Sequence, residues 1–262
     1  MTDIRQELLR LIALNNAEQW VPEHIAVQKL LDRHGNRLIP GLIECLGDDD
    51  AEIRRLALAL LSEGRPLSDV AVPAMIERLA DSDRLVRNST VWALMEFGEA
   101  ARPAIPALKR LLDDEQTIRL NAAGAISKIA PDDASALPVL VEGLRDPNAI
   151  HRATACEFLG ERRSKTAVLN AMALLSDPEF SVRFAAGVAV GKTFNHWFHA
   201  VAVCVAMLKD ADWITRSAGK ECLLSLGAHA KADMDLLQMA LVDAPWEARL
   251  DIEEALDELR RQ

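Results

Sequence analysis

The sequence predicts an all-α fold, a right-handed α-solenoid (superhelix) of about eight stacked helical hairpins. Three ladders running through the chain predict it. An apolar residue and its polar successor recur at Ile53-Arg54, Val86-Arg87, Ile118-Arg119, Ile150-His151, Val182-Arg183, Ile214-Thr215 and Ala248-Arg249, in steps of 33, 32, 32, 32, 32 and 34 residues. Prolines keep the same time at Pro40, Pro73, Pro106 and Pro138, and the beat continues through Asn170, Ala202 and Asp235. Aspartates keep it at Asp48, Asp81, Asp114, Asp146, Asp177, Asp210 and Asp243. Composition agrees: aromatics are 4% with no Tyr, and Ala and Leu dominate, which suits close helix packing and not a sheet.

Residues 3–14 and 22–34 read as two helices outside the strict register, a capping pair within residues 1–36 that covers the open end of the array. Seven repeats then fill 37–262 as one continuous array: Leu38–Gly64, Val70–Gly98, Ala104–Ala130, Leu137–Gly160, Val168–Gly191, Val201–Gly227 and Met234–Arg260. The unit Val70–Gly98 shows the logic. Pro73, with no N–H and φ preset near −65°, belongs in a first helical turn. Asp81-Ser82-Asp83 ends the first helix and offers carboxylate caps to the next. Val86, Thr90, Ala93 and Leu94 then form one apolar stripe, and Gly98 closes the helix. Glycines at the ends of the other units are read the same way.

The formal net charge of −10 makes phosphate backbones and anionic lipid poor partners and a basic protein a better one. From 232 to 262, nine acidic residues stand against three basic ones, a local −6. Cys45, Cys156, Cys204 and Cys222 are isolated and read as buried, reduced side chains. With no signal-peptide core and no long apolar run, a cytoplasmic protein is expected.

A proline-led first helix, a turn Asp and a second helix of Val-Arg-x-x-Ala-x-x-Ala-Leu type resemble a HEAT repeat, in a short form similar to the PBS-lyase HEAT-like repeats. Ala104–Asp114 and Asp177–Gly191 carry the resemblance best, and it spans roughly residues 37–262. The proline is missing at Asn170 and Ala202, and the arginine at His151 and Thr215. The resemblance implies a fold more than a function, since such repeats serve scaffolds, inhibitors and chromophore-lyase subunits. It also implies that second helices line an inner, concave face.

The arginines Arg54, Arg87, Arg119, Arg183 and Arg249 are expected to pair with the turn aspartates of neighbouring units as a repeated structural network. Residues two and six after each anchor share a side away from the apolar stripe. They are Arg55 and Ala59, Asn88 and Trp92, Leu120 and Gly124, Arg152 and Cys156, Phe184 and Val188, Arg216 and Lys220. Arginine beside aromatics suits a protein interface. A second candidate is Lys192–His199, which sets Phe194, Trp197 and Phe198 beside His196 and His199, either filling a gap or gripping a partner. The two histidines find no convincing third ligand, so no metal site is expected. No cofactor and no catalytic residue is expected either, for want of a phosphate loop, a nucleophile elbow or His-Glu-x-x-His.

The expected function is a non-catalytic scaffold or adaptor gripping another protein. The alternatives are an acidic inhibitor neutralising a basic partner and a lyase-like subunit holding a tetrapyrrole. A DNA-repair role would need a basic groove, for which Arg55, Arg152, Arg216 and Lys220 are the only material.

Overall fold

The computed structural model describes residues 4–16, 38–63, 68–195 and 197–261. It is an all-α repeat fold, and every regular element among the described residues is helical. The chain divides into two compact units, 1–139 and 140–262, each described by itself.

Unit 1 holds α1 (Ile4–Asn16), α2 (Ile39–Cys45), α3 (Ala51–Glu63), α4 (Ser68–Arg78), α5 (Arg84–Phe97), α6 (Ile105–Arg110) and α7 (Gln116–Ile129). The division falls inside α8 (Ala136–Gly143). Pro40 and Pro106 sit in the first turns of α2 and α6, where the missing N–H costs nothing. Asp83 caps α5, its carboxylate accepting from the Leu85 and Val86 N–H groups. Gly98 ends that helix at φ 55°, a conformation open to glycine. The apolar stripes meet in a core of Ile53, Leu58, Leu60, Val86, Leu94, Leu108 and Ile118, all essentially buried. Each such side chain stabilises the unit by roughly 1.5–3 kcal/mol. The second helices of successive hairpins lie side by side, α3 on α5 and α5 on α7, and α1 packs on α2 and α3.

Unit 2 holds the rest of α8, then α9 (Ala149–Arg162), α10 (Lys165–Ala171), α11 (Phe180–Phe194), α12 (Phe198–Leu208), α13 (Trp213–Leu226), the short α14 (Ala228–Ala232), α15 (Met234–Asp243) and α16 (Trp246–Arg261). Here α9 packs on α11, α12 on α11 and α13, and α13 on α16. The core runs through Val201, Cys204, Leu208, Leu223, Leu237, Ile252 and Leu256.

Three expectations change. Pro73 lies inside α4 and not in its first turn, because α4 begins at Ser68. Gly160 and Gly191 do not close their helices: α9 and α11 run on to Arg163 and Asn195, which take the left-handed conformation at φ 52° and 56°. Gly160 serves contact instead, since a Cβ there would stand 2.7 Å from the Ala189 Cα of α11. Finally, Lys192–Phe194 form the last turn of α11 and Phe198 opens α12, so among the described residues only Asn195 and Trp197 of the expected loop lie outside a helix. The second upstream helix, 22–34, and Gly64 lie outside the described residues.

Cys45, Cys156 and Cys204 are buried and Cys222 is half-buried, all as free thiols. Burial pushes the Cys156 thiol up to about 12 and raises that of Cys204 as well.

Candidate functional site

The second helices carry both the arginine ladder and the candidate surface, so the ladder fixes which side chains remain for a partner. Arg54 reaches from α3 to the next turn and donates twice to Asp81, Nε–Oδ2 at 2.9 Å and Nη2–Oδ1 at 2.7 Å. Its Nη1 donates to the Asp48 and Asp49 carbonyls of its own turn. Both side chains are almost fully covered, at 9% and 4% exposure. Arg87 repeats the arrangement with Asp114 and the Asp81 and Ser82 carbonyls. Burial works against ionisation of Asp81, yet the Arg54 guanidinium and the Asp83 N–H outweigh it and hold the carboxyl below the usual range. The Arg87 guanidinium does the same to Asp114.

In unit 2 the ladder passes through residues that sequence reasoning placed on the binding row. Arg152 donates to both Asp177 oxygens at 2.8 and 2.9 Å, and to the Asp146 and Pro147 carbonyls. Arg216 donates to the Asp210 and Ala211 carbonyls and to Asp251 of α16 at 2.6 Å. The arginine therefore does not fail at His151 and Thr215; it stands one residue later, at Arg152 and Arg216. The cause is visible at the caps. Asn148 and Asp212 cap α9 and α13, so Ile150 and Ile214 fall in the first turn, 72% and 60% exposed. His151 and Thr215 take the inward anchor position. Arg183 keeps its bonds to the Asp177 and Pro178 carbonyls but reaches no further carboxylate, which breaks the ladder between α11 and α13. Arg249 donates to the Ala244 carbonyl.

Moving the register by one residue rewrites the row. Leu120, Gly124 and Cys156 are buried and present nothing to a partner. Phe184 and Val188 are half-buried against the unit 2 core. Lys220 is held by Glu254 at 2.9 Å and Glu258 at 3.5 Å. With Arg152, Arg216 and Lys220 all paired, the positive strip that a nucleic-acid reader would need is not there. In the corrected register the row of unit 2 passes instead through Glu157, Ser217, Glu221, Leu250 and Glu254, all exposed.

The Lys192–His199 candidate also changes character. Trp197 is half-buried, seated on Gly191, where a Cβ would come within 2.6 Å of the indole Cδ2. It stacks on His229 with ring centroids 4.1 Å apart. These are packing contacts within unit 2. Phe194 and Phe198 remain 39% and 41% exposed, His199 meets Phe198 edge-on, and Lys192 pairs with Glu161. His196 lies outside the described residues. Among the described residues no group of His, Cys, Asp and Glu is placed to hold a metal.

In unit 1 Arg55, Ala59 and Trp92 of the row line one groove. Arg55, Ala59 and Ser62 of α3 face Ser89, Trp92 and Glu96 of α5 across a groove of about 220 Å³. Trp92 is 46% exposed in its wall. Arg55 is oriented by Glu52 at 2.7 Å, and beside the groove Asn88 accepts from Asn121 at 2.8 Å. Side-by-side helices make such a groove wherever the facing residues are small, and Ala59 and Ser62 supply the smallness.

A family model for HEAT repeats matches residues 39–127, 72–151 and 137–196, together more than half of the chain, and the protein belongs to that family. Its fold is similar to that of the CpcE–CpcF complex of phycocyanin lyase from Nostoc sp., with TM-score 0.57 and 20% identity over 84% of this chain and 94% of that one. It is also similar to the Escherichia coli protein YibA, with TM-score 0.56 and 20% identity over 98% of this chain and 92% of that one. At such identity these neighbours speak for the fold alone. No curated protein matches the chain.

Proposed function

We propose that the protein is a non-catalytic HEAT-repeat scaffold that binds another protein through the second helices of its hairpins, with the α3–α5 groove as the anchoring point. The half-exposed Trp92 carries this reading. An indole standing between an arginine and a glutamate in a preformed groove is the composition of an interface hot spot.

The test is affinity capture with the intact protein and a Trp92→Ala variant, followed by titration of each captured protein. Loss of one partner by about tenfold or more in affinity is expected, in line with a buried aromatic anchor. Unchanged affinity for every partner would sink the groove. The exposed Glu157 and Glu221 favour a basic partner, which brings the acidic-inhibitor alternative under the same experiment. Affinity that falls steeply with added salt is then expected. The lyase-like alternative rests on the fold alone, and mixing with a bilin tests it through a change in absorbance.

A further inference from the structure

The largest exposed apolar side chains of unit 2, Leu250 apart, are not on that row. Trp213 and Ile214 open α13 at 68% and 60% exposure, and Trp246 opens α16 at 74%, with Leu250 one turn later at 62%. Nothing in helix formation asks for an indole at these positions, where capping and a favourable charge are what a helix needs. The two tryptophans occupy one repeat position, just after the cap of a second helix.

Two cross-links place them at one end of a helix pair. Arg216 bonds Asp251 and Lys220 bonds Glu254, so α13 and α16 run parallel in near register. Following both helices one turn towards their N-termini brings Trp213 level with the Trp246–Leu250 face. The turns that lead in carry Asp210, Asp212, Asp243 and Glu247, all exposed, against Lys209 and Arg249. The Arg249 side chain is turned back onto the Ala244 carbonyl. The result is an apolar, indole-rich edge with an acidic rim.

We infer that this edge is a second docking surface, taking a segment of a partner protein that carries lysine or arginine among apolar side chains. Its apolar residues cover Ile214 and Leu250, and its cations lie over the indole faces and meet the acidic rim. Charge selects this occupant. A second copy of the chain would set the same acidic rim against itself, and an anionic lipid surface would be repelled. The surface is independent of the α3–α5 groove, and each stands without the other.

The experiment uses the intact protein and two amphipathic helix-forming probe peptides, one of lysine and leucine and one with glutamate in place of lysine. Binding is read by anisotropy of the labelled peptide. The wild type is expected to bind the lysine peptide and not the glutamate peptide. The double variant Trp213→Ala/Trp246→Ala is expected to lose about tenfold or more in affinity with its circular dichroism unchanged, while Leu169→Ala, which removes an exposed apolar side chain of α10 outside both surfaces, binds as the wild type does. Equal binding by wild type and double variant, equal binding of both peptides, or no binding at all would overturn the inference. So would tryptophan-dependent self-association in sedimentation, or tryptophan-dependent binding to anionic vesicles in place of the peptide.

Discussion

At the scale of single residues, the strength of the ladder depends on whether an arginine finds a carboxylate and how well the pair is covered. Arg54 and Asp81 are both buried and doubly bonded, so removing one leaves the other charge without its counterpart. Asp81→Ala is expected to lower unfolding stability by about 3–5 kcal/mol. Arg183→Ala removes bonds to two carbonyls and leaves no buried charge behind, so a loss of about 1.5 kcal/mol, the low end for a bond from a charged group in a partly solvated place, is expected. Urea midpoints of the two variants measure the difference; comparable losses would mean that the carboxylate adds nothing. Of the five arginines read from spacing, Arg54 and Arg87 reach the aspartate of the next turn, while Arg183 and Arg249 hold carbonyl oxygens. Arg152 and Arg216 escape the spacing, because Ile150 and Ile214 have the hydropathy of an anchor while facing solvent. The informative signal was the Asp-to-Arg distance: the intervals from Asp48 to Arg54, Asp146 to Arg152 and Asp210 to Arg216 are equal, because the guanidinium must reach back to the carbonyl of that same turn.

At the scale of helices, small residues decide how closely neighbours approach. Gly160 lets α9 lie against the backbone of α11 at Ala189, whereas Gly98 and Gly227 end their helices at positive φ. In an exposed helix interior, Gly→Ala gains about 1 kcal/mol of helix propensity. At Gly160 the new methyl meets backbone, and overpacking of this kind costs typically 1–3 kcal/mol. Gly160→Ala is thus expected to lower the melting temperature, and a rise would show that α9 and α11 separate freely. Sequence alone does not distinguish a glycine that ends a helix from one that receives a neighbour, since both recur at the repeat period. The same limit leaves Trp197 open in the sequence, between filling a gap and gripping a partner, because the glycine it covers, Gly191, is located only in the structure.

At the scale of the whole molecule, the repeat period made the fold class legible, because many weak coincidences at one spacing add up where a single motif would not. The two proposed docking surfaces are only half legible. The α3–α5 groove follows from Arg55, Ala59 and Trp92, but the Trp213–Trp246 edge needed the helix starts to be known to within one residue. Charge gives a molecule-wide expectation. The carboxyls of Asp48, Asp81, Asp114 and Asp177 lie below the ordinary aspartate value of 3.8, and hydrogen bonds from Lys109 and Ser135 bring that of Asp133 to about 2. Through that window the unfolded chain binds protons that the native chain refuses. Stability is therefore fully present above the unfolded value and is lost as the pH falls towards 2. Melting temperatures are expected to stay level from neutrality to about pH 5 and then to drop. A rise on acidification would contradict these pairings.

The placement of the indoles also determines how the protein looks to a spectroscopist. The chain has five tryptophans and no tyrosine, so its intrinsic emission is all indole. Trp92, Trp213 and Trp246 already face water in the native state, while Trp197 is packed on Gly191 and His229. Emission from the exposed three is red-shifted before any unfolding begins, and whatever covers them shifts it to the blue. Intrinsic fluorescence is therefore a poor gauge of denaturation in this molecule and a sensitive gauge of occupancy.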